Sequence, residues 1–79
     1  MTEPDAYQLI VAALTKVAPR KTPMVTQETD LLANDILDSL DVMNFLFEVE
    51  QRLGKKLTAI DETYNDFRIQ SLIKVICAA

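Results

Sequence analysis

The chain has 79 residues, 49% of them hydrophobic, with 8 basic and 12 acidic side chains, a net charge of −4, one glycine and no histidine. That describes one small domain over residues 1–79, too apolar for disorder and with a thin core. It leaves no Ser-His-Asp triad, Cys-His pair or His-ligated zinc; Cys77 alone makes no internal disulfide or Cys-rich metal site, Gly54 alone excludes GxGxxG and the P-loop, and an acidic chain is a poor match for nucleic acid.

The opening residues Met1-Thr2-Glu3-Pro4-Asp5 lack the basic-then-apolar order of a signal peptide. No apolar run approaches the roughly 18 residues of a membrane span. A cytoplasmic monomer is expected. Thr2 or Asp5 can cap a first helix, with Pro4 tolerated in its opening turn. Ala6, Ile10, Ala13, Leu14 and Val17 recur at helical spacing, and Pro19 stops the helix near Val17. Lys16, Arg20 and Lys21 read as a solvated patch at its end.

From Ala18 to Leu37 no periodicity is evident. A long irregular segment in a small domain needs its own anchors, and Met24, Val25, Leu31, Leu32, Ile36 and Leu37 are the candidates, with a short helical turn possible near Leu31. The pattern then predicts a second helix from Ser39 to about Leu53. Asp38 is its N-cap, Asp41 stands three residues on in a capping-box-like arrangement, and Gly54 is the left-handed residue at its end. A short third helix is expected around Asp61–Asn65 and a fourth from about Gln70 to Cys77, with Leu72, Ile73 and Ile76 on its apolar face. Phe67 and Ile69 plug the junction between them. The expected fold is all-α: a four-helix bundle of three main helices and a short third, with a long ordered loop between the first two.

On a helical wheel the apolar arc of the second helix is roughly 220° wide, more than one core contact requires. Ser39 and Glu50 lie near its middle and divide it. Phe45, Leu46, Val49 and Leu53 form the stripe expected to face the core. Met43 and Phe47 lie on the serine's side, either packed under the long loop or forming an apolar patch rimmed by Asp38, Asp41 and Glu50. Ser39 itself stands at the positive end of the helix dipole, where backbone N–H groups lack intrahelical partners and an attached anion is favoured.

These residues carry a resemblance. The run Ile36-Leu37-Asp38-Ser39-Leu40, the apolar helix closing on Glu50-Gln51-Arg52-Leu53-Gly54, the Lys56-Leu57 step and the Phe67 segment before a last amphipathic helix resemble an acyl or peptidyl carrier protein, from Leu31 to about Ile76. The resemblance implies a non-catalytic carrier of the discrete type. A phosphopantetheinyl transferase would move 4′-phosphopantetheine from coenzyme A onto Ser39, and the thiol of that arm would hold its cargo as a thioester. It further implies that Asp38, Leu40, Asp41, Met43, Phe47 and Glu50 dock partner enzymes: an acyl- or aminoacyl-loading ligase or transferase, then downstream biosynthetic enzymes. No metal is implied. Asn44, Gln51 and Arg52 depart from the strongly acidic second helix of fatty-acid-synthesis carriers, which points to a specialised fatty-acid, polyketide or related pathway. A D-alanyl-like aminoacyl carrier served by an adenylating ligase is the alternative. An adaptor that only binds protein partners is the alternative of another class.

Overall fold

The computed structural model describes residues 1–61 and 63–79. Among them it is all-helical, with α1 (Glu3–Val17), α2 (Ser39–Leu53) and α3 (Ile69–Ala78), a 3₁₀ turn at Thr22–Met24, and no strands. None of these helices is long and apolar enough to cross a membrane. The third helix expected over Asp61–Asn65 includes Glu62, which lies outside the described residues. Around it, the Tyr64 N–H donates to the Asp61 carbonyl at 3.0 Å.

α1 begins where its sequence says it should. The Thr2 hydroxyl accepts the Asp5 N–H at 3.3 Å, and Pro4 sits in the first turn, where a missing N–H costs nothing. Glu3 and Asp5 face the positive end of the dipole and Lys16 the negative end. Ala6, Ile10, Ala13 and Leu14 are fully buried, and Val17 is half-buried. The two small alanines let neighbouring chain approach closely. α1 packs against both α2 and α3, which make no close backbone approach to each other. The core therefore sits around α1 and is completed by loop residues: Leu31, Ile36, Leu37, Leu57 and Phe67 are all buried.

Apart from the 3₁₀ turn, residues 18–38 stay irregular, and many of their backbone groups find partners within the chain, as expected of a segment packed against a core. The Asp30 carboxylate accepts the N–H groups of Leu32 and Ala33 at 2.9 and 2.8 Å. The Asn34 side-chain oxygen accepts the Asp30 N–H at 2.8 Å, and the Leu37 N–H reaches the Leu31 carbonyl at 2.8 Å. Of the expected anchors, Leu31, Ile36 and Leu37 are buried, while Val25 and Leu32 are half-buried. Met24 is not an anchor: it is 69% exposed, carried outward by the 3₁₀ turn. The patch expected at Lys16, Arg20 and Lys21 is also partly engaged. Lys16 lies 3.9 Å from Glu48, and the Lys21 ammonium donates to the Asp35 carbonyl at 2.9 Å, where Asp35 holds a left-handed φ of 57°.

The same loop caps α3. Arg68, before the helix, offers no side-chain cap. The first N–H groups of α3, on Ile69 and Gln70, instead donate to the carbonyls of Thr29 and Gln27 at 3.0 and 2.9 Å, which removes two of the helix's orphan donors. Alongside, the Leu31 N–H donates to the Phe67 carbonyl at 3.0 Å. Ile69, expected as a junction plug, opens α3 and is fully buried, as are Leu72, Ile73 and Ile76 nearly so. Cys77 is half-buried against the core.

Asp66 steadies this junction. Its two oxygens accept from the Arg68 guanidinium at 2.8 and 2.9 Å, and one also accepts the Ser71 hydroxyl at 2.8 Å. The Arg68 guanidinium first, then the Ser71 hydroxyl, hold the Asp66 carboxyl well below the usual carboxylate range. A depressed folded-state pKa adds stability that is complete above the unfolded value, about 4, and is lost as pH falls through the folded value. Asp66→Asn is therefore expected to be less stable than wild type at neutral pH. The difference in denaturant midpoint should shrink as pH drops below about 4; a difference that stays constant with pH would assign it to packing instead.

Candidate functional site at the start of the second helix

α2 starts at Ser39 because Asp38 caps it: the Asp38 carboxylate accepts the Asp41 N–H at 2.7 Å, and Asp38 itself is extended. The reciprocal bond of a capping box, in which the Asp38 N–H would donate to the Asp41 carboxylate, is not formed among the described residues. The helix ends at Leu53 because Gly54 takes φ 79°, a left-handed conformation that side chains disfavour. Ser39 is thus the first helical residue, and its side chain is exposed. The Ser39 and Leu40 N–H groups precede the first intrahelical bonds and give this end a positive partial charge.

α2 divides its apolar residues. Val42, Phe45 and Val49 are buried in the core, and Leu46 and Leu53 are half-buried against it. Leu40, Met43 and Phe47 are 70%, 66% and 50% exposed. They stand at i, i+3 and i+7, one row on the helix surface. Met43 and Phe47 are therefore not covered by the long loop.

Beside this row runs a groove of about 470 Å³, with Ser39 on its lining. One wall is α2, through Ser39, Met43, Leu46, Phe47 and Glu50. The other comes from the segment after α2, through Leu57, Ile60, Tyr64 and Phe67. The Tyr64 and Phe67 rings meet edge-to-face at 5.3 Å between centroids, and burial pushes the Tyr64 phenol up. Asp61 also lines it, its carboxyl pKa lowered first by the Thr63 hydroxyl at 2.6 Å and then by the Thr63 N–H. Phe47 also borders a second hollow of about 500 Å³ on its other side, with Asp41, Asn44 and Glu48. It is a ridge between two depressions.

The groove brings together Ser39, Met43, Phe47 and Glu50. Asp38, Leu40 and Asp41 do not line it but surround the helix start beside it. Glu50 is not simply a charged rim. It is half-buried, and its carboxylate accepts the Leu57 N–H at 2.8 Å, which ties the second wall to α2. Glu50→Ala leaves that part-buried donor without a partner, and a loss of about 1–2 kcal/mol is expected. Urea unfolding would measure it, and Glu50→Gln, which keeps an acceptor, should lose less. The wall residues Leu57, Ile60 and Tyr64 were missed as a surface; the described residues of this segment form no helix, so no sequence period marks which of them face α2.

Comparison of the chain with protein-family models, with curated proteins and with solved structures gives no match.

Proposed function

We propose that the protein is a discrete acyl carrier, with 4′-phosphopantetheine attached through a phosphodiester to Ser39. The observation that carries this reading is the placement of an exposed serine as the first residue of α2, at an apolar groove and beside the exposed row Leu40, Met43 and Phe47. A transferase would join the Ser39 Oγ to the phosphorus of the arm, and the nucleotide remainder of coenzyme A would leave. The chain's own part is to present the hydroxyl free of neighbouring structure and to place the new anion at the positive end of α2. The arm's thiol then holds the cargo as a thioester and delivers it at high effective concentration.

The groove's apolar lining favours an acyl cargo over the aminoacyl alternative. The exposed row has the i, i+3, i+7 spacing by which a helix anchors in a partner's groove. It suits docking by a phosphopantetheinyl transferase, a loading ligase or transferase, and later biosynthetic enzymes. Asp38 and Asp41 would add steering by basic surfaces. An adaptor would use the same row but would have no use for an exposed serine beside it. The same reading includes a cytoplasmic monomer in a specialised pathway.

Partner selectivity tests it. Asn44, Gln51 and Arg52 are exposed and dilute the acidity along α2. A malonyl transferase of fatty-acid synthesis should load the arm-bearing protein poorly. Asn44→Glu with Gln51→Glu should raise that rate by about tenfold at low salt, with the gain fading as salt screens it. Malonyl transfer equal to that of a fatty-acid-synthesis carrier at all ionic strengths would contradict the selectivity. No thioester from any acyl donor would contradict the carrier reading itself.

A further inference from the structure

At the end of α2 opposite Ser39 the surface reverses its charge. Lys55 and Lys56, just past Gly54, and Lys74 on α3 line one hollow of about 460 Å³. Leu57, Ala59 and Val75 supply its apolar lining, and no acidic side chain among the described residues lines it. None of the three lysines makes an ion pair among the described residues. The dipole of α2 accounts for Lys55 and Lys56, because cations are favoured beyond a helix C-terminus. It does not account for Lys74, which arrives from another helix. Three exposed cations from two elements around one apolar hollow give it a positive local potential, which favours an anion there.

We propose that this hollow receives an acidic segment of a partner protein, with carboxylates on the three lysines and an apolar side chain over Leu57 and Val75. Charge complementarity selects the occupant. A chain of net charge −4 is repelled by an anionic bilayer or a nucleic acid, whose charge extends well past three lysines. A bilayer would also need protruding apolar side chains, and the large exposed ones, Met1, Met24, Leu40, Met43 and Phe47, lie outside the hollow. A short acidic segment meets the local positive charge within a Debye length and avoids most of the remaining field.

The probe is a short synthetic peptide of alternating glutamate and leucine, titrated into the ¹⁵N-labelled protein, with a lysine–leucine peptide as control. Saturable amide shifts confined to residues 55–59 and 74–78 are expected, weakening with added salt. Lys56→Glu with Lys74→Glu should weaken binding by about tenfold while helicity is unchanged, and the milder Lys56→Gln with Lys74→Gln should fall between. Absence of saturable shifts there, or equal binding of the lysine–leucine peptide at the same residues, overturns the proposal. So does lysine-dependent binding to phosphatidylserine vesicles, which would make the surface a lipid site, or lysine-dependent self-association, which would make the occupant a second copy. The test involves neither Ser39 nor its arm, so its result is separate from that of the carrier reading.

Discussion

Phe45→Ala is expected to cost about 3–5 kcal/mol, while Phe47→Ala, two residues on, costs about 1 kcal/mol or less. The two rings have the same chemistry and the same helix. Phe45 is fully enclosed between α2 and the rest of the core, and its removal leaves a cavity that a small domain has little capacity to fill. Phe47 is 50% exposed on its ridge, so its loss uncovers little. The order should reverse for partner binding. Phe47 is the largest exposed apolar side chain of the row, and a single aromatic anchor often dominates a docking interface. Phe47→Ala should slow loading by a partner enzyme tenfold or more, as an estimate from such anchors, with the change in KM rather than kcat. Urea unfolding and loading kinetics on the same two variants would measure both. A loss above about 3 kcal/mol for Phe47→Ala would place its ring in the core.

Ser39→Ala is expected to remove all phosphopantetheine attachment and leave the fold intact. The helix does not depend on this hydroxyl, because the cap is Asp38, whose carboxylate holds the Asp41 N–H. Alanine is also the best helix former for an exposed helical position. The change in unfolding free energy should stay within about 0.5 kcal/mol. Asp38→Ala gives the opposite pattern. Stability should fall by about 1 kcal/mol as the cap is lost, while the serine remains chemically competent. Circular dichroism melts beside intact-mass measurements would separate the two roles. A melt of Ser39→Ala as damaged as that of Asp38→Ala would mean that Ser39 supports the helix start itself.

α2 was legible because two kinds of signal agreed. The apolar spacing of Phe45, Leu46, Val49 and Leu53 marks a core face, on which Phe45 and Val49 are buried and Leu46 and Leu53 half-buried, with Val42 buried beside them although it was not placed in that stripe; Asp38 and Gly54 mark the ends by their capping chemistry. The divided arc also showed that Met43 and Phe47 belong to a different side from Phe45. α1 was readable for the same reason, and α3 from its apolar spacing alone, to within one residue at its ends. The segment before Ser39 was not. Its order comes from pairings distant in sequence, such as Ile69 to Thr29 and Gln70 to Gln27, and such pairings leave no local period. Met24 was misread because hydrophobicity alone does not say which way a non-repeating residue faces. Glu50 carried a hidden structural task for a similar reason: its bond to Leu57 depends on how the chain returns after Gly54.

The central claim is that Ser39 is an attachment site, and the mass of the intact protein tests it most directly. Purified wild-type protein would be incubated with coenzyme A and a broad-specificity phosphopantetheinyl transferase, then digested to locate any added group. The account predicts a gain of one phosphopantetheinyl group, on the peptide containing Asp38-Ser39-Leu40, and none on Ser39→Ala. An unchanged mass under conditions that fully modify a known carrier, or a gain on any other residue, would contradict it.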